Sequence, residues 1–167
     1  VRDGNIRLYK ENILLKGFIK EIIEEMQPIA QKTNNTLEFI QQRDIRVYAD
    51  RIQLKRVIKN LIQNAISYGE PNFPIEVSIG EIPQYIVIKV KDYGAGISKT
   101  DIDKIFNKYY SAAKKFRKIG TGLGLYLALQ IIKSHNGELS VESEEGNFTE
   151  FTIKLPAVMN INLHYGE

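Results

Sequence analysis

Val90-Lys91-Asp92-Tyr93-Gly94-Ala95-Gly96-Ile97 is the stretch on which the fold turns. An apolar strand ends there in a carboxylate and runs into a Gly-x-Gly turn, whose missing side chains let backbone approach a bound group closely. Asp92 so placed can accept a hydrogen bond from an exocyclic amine such as that of adenine. Taken alone the pattern also describes an ordinary turn, so its neighbours matter. Upstream, Ile75 to Ile79 and Tyr85 to Val90 read as a strand pair around Gly80-Glu81-Ile82-Pro83-Gln84. Before them, Asp50 suits the N-cap of a helix that runs to Tyr68 and is stopped by Gly69, Pro71 and Pro74.

Further upstream, Thr36 to Gln41 and Arg46 to Ala49 read as short strands. Ile13, Leu14, Phe18, Ile19, Ile22, Ile23, Met26 and Ile29 recur at helical spacing and predict a helix from Asn12 to Gln31, bent at Pro28. Downstream, the pattern predicts a short helix over Lys99 to Phe106 and a polar, basic loop over Asn107 to Gly120. An apolar helix from Leu123 to His135 follows, closed by Asn136-Gly137. Two strands, Glu138 to Ser143 and Phe148 to Leu155, then flank a hairpin turn at Glu144-Glu145-Gly146-Asn147. Helices and strands in this order, without strict βαβ alternation, predict an α+β two-layer sandwich: one mixed β-sheet with helices packed on one face.

Composition narrows the chemistry. The chain has 167 residues, 43% hydrophobic and 26% charged, enough for one globular domain with its own core. No apolar run approaches the roughly 20 residues of a membrane span, and Val1 to Lys10 lacks the apolar block of a signal peptide. Zero Cys and only His135 and His164 leave no disulfide framework and no thiolate zinc site, so a bound metal would be a hard, oxygen-ligated one. The 23 Lys+Arg against 20 Asp+Glu leave a net charge of +3, too little to imply nucleic-acid binding.

Two further constellations stand out. On a wheel of about 100° per residue, Leu54, Ile58, Leu61 and Ala65 share one stripe of the second helix, and Asn60 and Asn64 line its margin. Two carboxamides one turn apart beside a buried face are either locally bonded amides or neutral oxygen donors suited to a Mg²⁺ shell shared with phosphates. Gly120-Thr121-Gly122-Leu123-Gly124-Leu125 opens a helix, where free N–H groups and the positive end of the macrodipole suit phosphate. It is not a Walker A loop, since no Lys-Ser/Thr follows, and its glycines would equally serve a tight loop.

The order of these elements is specific. Asn60-Leu-Ile-Gln-Asn64-Ala65, Asp92-Tyr-Gly94-Ala-Gly96-Ile97, Ile105-Phe106-Asn-Lys-Tyr109-Tyr110 and Gly120-Thr-Gly-Leu-Gly-Leu125 resemble the N, G1, F and G2 boxes of the ATP-binding catalytic domain of sensor histidine kinases. That domain belongs to the wider superfamily of gyrase, Hsp90 and MutL, with its Bergerat-type ATP-binding fold. The resemblance covers Asn12 to Pro156.

It implies ATP and Mg²⁺ as ligands. Asn64 would ligate the metal, and Asn60 would support it; these two are the expected catalytic residues. Tyr68 would lie against base or sugar, Asp92 would bond the adenine amine, and Thr149 would support Asp92 through water. Gly94, Gly96 and Ile97 would line the base pocket, and Gly120, Thr121, Gly122, Leu123, Gly124 and Leu125 would wrap the phosphates as the hinge of a lid. Phe106 would anchor the lid's other end, Tyr110 would belong to the ATP site, and the basic lid residues Lys114, Lys115, Arg117 and Lys118, Lys114 foremost, would approach the phosphates.

The superfamily's hydrolases carry Glu where Asn60 stands, as a general base. An amide there favours transfer to an imidazole, which needs no strong base at neutral pH, over a gyrase-like ATPase. Ser67, Ser111 and Phe148 depart from the family's usual Lys, Arg and Gly, which keeps a degenerate, non-catalytic nucleotide-binding module as the alternative. The resemblance further implies residues 1–11 as a connector from a dimerisation domain bearing the acceptor histidine, 12–156 as the ATP-binding domain and 157–167 as a tail. The expected partners are that acceptor domain and a response regulator, with no nucleic acid. The fragment is expected to be cytoplasmic, monomeric in isolation and C-terminal in its parent protein.

Overall fold

The computed structural model describes residues 6–40, 43–108, 110 and 124–157. In chain order the elements are β1 (Lys10–Leu14), α1 (Leu15–Gln31), β2 (Thr36–Ile40), β3 (Arg46–Asp50), α2 (Arg51–Tyr68), β4 (Pro74–Ile82), β5 (Tyr85–Asp92), α3 (Gly124–Ser134), β6 (Glu138–Glu144) and β7 (Phe148–Pro156). Five strands form one sheet in the order β2-β4-β5-β7-β6, and β1 pairs with β3 as a separate two-stranded ribbon. The β2–β4 pair is parallel and the other pairs of the large sheet are antiparallel, so the sheet is mixed.

Strand alternation sends one set of side chains to a single face. Ile75 and Val77 of β4, Ile86, Ile88 and Val90 of β5, and Phe151, Ile153 and Leu155 of β7 are all buried there. Helices α1, α2 and α3 pack on this face. They contribute Phe18, Ile19 and Ile22 from α1, Leu54, Ile58 and Leu61 from α2, and Ala128, Ile131 and Ile132 from α3. Each large aliphatic side chain removed from water contributes about 1.5–3 kcal/mol. The layered α+β sandwich expected from the element order is the observed architecture, and among the described residues no helix is long and apolar enough to cross a membrane.

Two elements differ from expectation. The helix predicted from Asn12 begins at Leu15, because Asn12 to Leu14 belong to β1, where Ile13 lies opposite Val47 of β3. The spacing of apolar residues there fits a helix, but the strand's partner is distant in the chain and no local pattern reveals it. Beyond Leu15 the helix runs through Pro28 to Gln31. The short helix expected over Lys99 to Phe106 is a succession of turns. Lys104 N–H bonds Asp101 O and Asn107 N–H bonds Lys104 O, a three-residue spacing that does not build an α-helix. The basic loop expected at Asn107 to Gly120 falls outside the described residues from 111 onward, as does the tail from 158.

His135 closes α3 and fastens it to the rest of the fold. Its Nδ1 donates to Ile131 O at 2.8 Å and its Nε2 accepts the Asp50 N–H at 3.0 Å. Asp50 in turn caps α2 through the Gln53 N–H and accepts the Tyr9 N–H, so the N-cap read from sequence is the observed one. Asn136 takes the left-handed conformation at the helix stop, with φ of 60°.

Candidate functional site

Asp92 is the last residue of β5, and its position follows from the strand period. Ile86, Ile88, Val90 and Asp92 share the inward face, so a carboxylate ends a row of core side chains. It is 3% exposed, and its Oδ1 finds no hydrogen-bond partner among the described residues. Burial raises its pKa from 3.8 to about 7. A buried, unpaired acceptor is costly to a fold unless a ligand completes it.

Glycines bring the second helix to this carboxylate. Gly69, just past α2, and Gly94, just past β5, form an isolated antiparallel bridge. A Cβ on Gly94 would sit 2.3 Å from Tyr68 O, and one on Gly69 would sit 2.5 Å from Ala65 O. Only side-chain-free residues allow this approach, which sets the C-terminal end of α2, at Tyr68 and Gly69, beside Asp92. The Glu70 N–H donates to Tyr93 O at 3.1 Å and secures the same junction. Asn35, 2% exposed, donates from Nδ2 to Glu70 O and Phe73 O, bracing the segment after α2 from the β2 side.

The Gly-x-Gly turn is held from the opposite side by the β6–β7 hairpin. Gly96 has φ of +69°, and a Cβ there would meet Glu144 O at 2.4 Å. The Gly146 N–H donates to Ala95 O at 2.6 Å and the Ile97 N–H to Ser143 Oγ at 2.8 Å. Thr149 lies directly opposite Asp92 in the β5–β7 register and is 4% exposed. Phe148, the departure beside it, points to the other face, where its ring centroid lies 4.7 Å from Lys91 Nζ. It therefore stays clear of Asp92.

The Asn64 residue is half-buried and its side chain makes no hydrogen bond among the described residues, whereas Asn60 donates from Nδ2 to Gly124 O at 3.3 Å. That bond ties the start of α3 to α2 and leaves the Asn60 oxygen as its free acceptor. Leu125 packs against the core, and Phe106 meets Phe151 edge-on with centroids 6.1 Å apart. Tyr110 is half-buried, and burial first, then Asp101 and Tyr68, raise its pKa. Lys114, Gly120, Thr121, Gly122 and Leu123 lie outside the described residues, as do Tyr109 and Ser111. The structure thus brings Tyr68, Asp92, Gly94, Gly96, Ile97 and Thr149 to the junction of α2, β5 and the β6–β7 hairpin, and separately joins Asn60 to Gly124, with Asn64 one turn further along α2. Sequence reading missed Asn35 and Ser143, for a lone Asn in a turn and a Ser in an exposed-looking strand carry no local signal.

The donor set fits a nucleotide. The unpartnered Asp92 oxygen suits an amine, and the uncommitted Asn64 carboxamide suits a hard cation. Among the described residues no cluster of His, Cys, Asp or Glu could hold a metal by itself. Comparison with known proteins agrees. Residues 49–159 match the family described as histidine kinase-, DNA gyrase B-, and HSP90-like ATPase. The sensor histidine kinase WalK of Bacillus subtilis is 33% identical over 153 residues, covering 88% of this chain and 25% of WalK. The sensor protein SrrB of Staphylococcus aureus is 34% identical over 149 residues, covering 80% of this chain and 26% of SrrB. The chain therefore spans about a quarter of the length of these relatives. The solved catalytic domain of histidine kinase ThkA superposes with a TM-score of 0.80 at 28% identity, over 90% of this chain and 97% of that domain. The match over residues 49–159, on this fold and with these relatives, places the chain in the histidine kinase-, DNA gyrase B- and HSP90-like ATPase family.

Proposed function

We propose that this chain is the ATP-binding catalytic part of a sensor histidine kinase, and that it delivers the γ-phosphoryl group of ATP to a histidine on a dimerisation domain of the same protein. The observation that carries the reading is the buried Asp92 oxygen, without a partner among the described residues, at the point where β5 runs into the Gly94 and Gly96 turn. Asp92 accepts the adenine amine, Thr149 supports it, and Tyr68 lies against the base or sugar. Asn64 would hold Mg²⁺, which would supply positive charge against the phosphates. In the transfer an imidazole nitrogen bonds to the γ-phosphorus, the bond to the β–γ bridging oxygen breaks, ADP leaves with the electron pair, and the imidazole proton passes to solvent. The protein's part is positioning.

Asn60 supports transfer over hydrolysis. Its amide cannot take a proton from water, and its nitrogen is already committed to Gly124 O. The phosphohistidine then serves a response regulator, and the ATP requirement puts this part of the protein in the cytoplasm. The test mixes the chain with Mg-ATP and the dimerisation domain of its parent protein and assays acid-labile phosphate on that domain. Phosphohistidine with little free phosphate is expected. ATP binding without any transfer would leave a nucleotide-binding module, and steady ATP turnover by the chain alone would make it an ATPase.

A further inference from the structure

Ser143 sits at a crossing of three hydrogen bonds that no sequence pattern announced. Its Oγ lies 2.8 Å from the Ile97 N–H, 2.7 Å from Phe148 O and 3.0 Å from Thr149 Oγ1. A serine hydroxyl has one proton and two lone pairs, so the three bonds exhaust it and their directions are determined. Ile97 N can only donate and Phe148 O can only accept. The Ser143 proton therefore goes to Phe148 O, and the Thr149 hydroxyl must donate its own proton to Ser143. Thr149 is left with lone pairs alone to offer, directly across the ladder from Asp92.

We propose that Ser143 is a positioning residue for purine selectivity: by consuming the Thr149 proton and tethering Ile97, it makes the wall opposite Asp92 acceptor-only, so that the site takes a 6-amino purine and rejects a 6-oxo purine. The inference rests on the nucleotide-site reading above and adds a residue to it. An amine with two protons is matched directly by two acceptors. A 6-oxo group brings an acceptor to acceptors and leaves buried polar atoms unpaired, the mismatch that discriminates most strongly. Without Ser143 the Thr149 hydroxyl rotates freely, donates to a 6-oxo group, and the discrimination falls.

The test measures ADP and inosine diphosphate binding by calorimetry at pH 8.5, where Asp92 is ionised and can only accept, for the wild type, Ser143→Ala, Ser143→Thr and Thr149→Val. The wild type should favour ADP by well over tenfold. In Ser143→Ala that ratio should drop by about five- to tenfold, the worth of one hydrogen bond, and Ser143→Thr, which keeps a hydroxyl, should restore it. Thr149→Val keeps the side-chain shape but not the lone pairs, and should lower the ratio by a similar factor even if Ser143→Ala proves too unstable to handle. A purely structural Ser143 would weaken both nucleotides equally, and an unchanged ratio in either Ser143→Ala or Thr149→Val overturns the inference while leaving the nucleotide site standing. Failure of the wild type to bind ADP overturns both.

Discussion

Asp92 carries the largest single consequence. Its pKa is raised by burial to about 7 from 3.8, so the folded apoprotein keeps a proton over a range where the unfolded chain has lost it. The sign follows from linkage: this contribution to stability is full below the unfolded value, declines as pH rises from 3.8 to about 7, and is absent above. An adenine amine is held more strongly by the ionised form, so binding below about pH 7 favours release of the proton. We expect nucleotide affinity to weaken by up to about tenfold per pH unit on the acid side, with proton release seen by calorimetry in buffers of different ionisation heat. Binding near pH 6 that releases no proton would contradict this. Asp92→Asn should lower ADP affinity roughly ten- to hundredfold, the range for a hydrogen bond to a charged group, without lowering the melting temperature of the apoprotein. The sequence shows Asp92 as an acceptor, but not that its Oδ1 is orphaned, since that depends on what packs around it.

Elements meet at two junctions whose chemistry is local but whose partners are distant. At the end of α3, desolvation lowers the His135 pKa from 6.5, and the ring serves as a neutral acceptor for the Asp50 N–H. The folded form disfavours the proton, so its contribution to stability is complete above 6.5 and is lost as pH falls below 6.5. This opposes the Asp92 trend, so the effect is best read in the Asp92→Asn background. There, urea midpoints should fall from pH 7.5 to 5.5, and His135→Ala should abolish that slope while costing about 1–3 kcal/mol for the stranded Asp50 N–H. At the α2–β5 junction, Gly94→Ala would push a Cβ to within 2.3 Å of Tyr68 O. We expect a loss of about 1–3 kcal/mol in stability and of most nucleotide affinity, because Tyr68 and Asp92 can no longer keep their separation. Calorimetric melting and ADP titration of the same variant check both.

At the scale of the whole molecule, the proposed site lies where the sheet's inward face ends, and a ligand held by Asp92 would link α2, β5 and the β6–β7 hairpin. Binding to the folded state alone should stabilise it by about 2.7 kcal/mol at a hundredfold excess over Kd. For a domain of this size that is a rise of about 5–10 °C in melting temperature. ADP at saturating concentration should give it, and a flat melting profile would mean that the gathered residues hold no nucleotide. What sequence by itself determined was the set of local choices: the alternation that turns Asp92 inward, the stripe that leaves Asn60 and Asn64 on the edge of α2, the Asp50 cap and the glycines. Each depends on neighbours a few residues away, which periodicity and backbone freedom report. What only the tertiary structure decided was every contact between distant segments: the pairing of Asn12 to Leu14 into β1 rather than a helix, the binding of His135 to Asp50, the outward turn of Phe148, and the Ser143 bonds that set the direction of the Thr149 proton. These are pairings across the chain, and their energy comes from burial and hydrogen-bond geometry that exists only once the chain has folded.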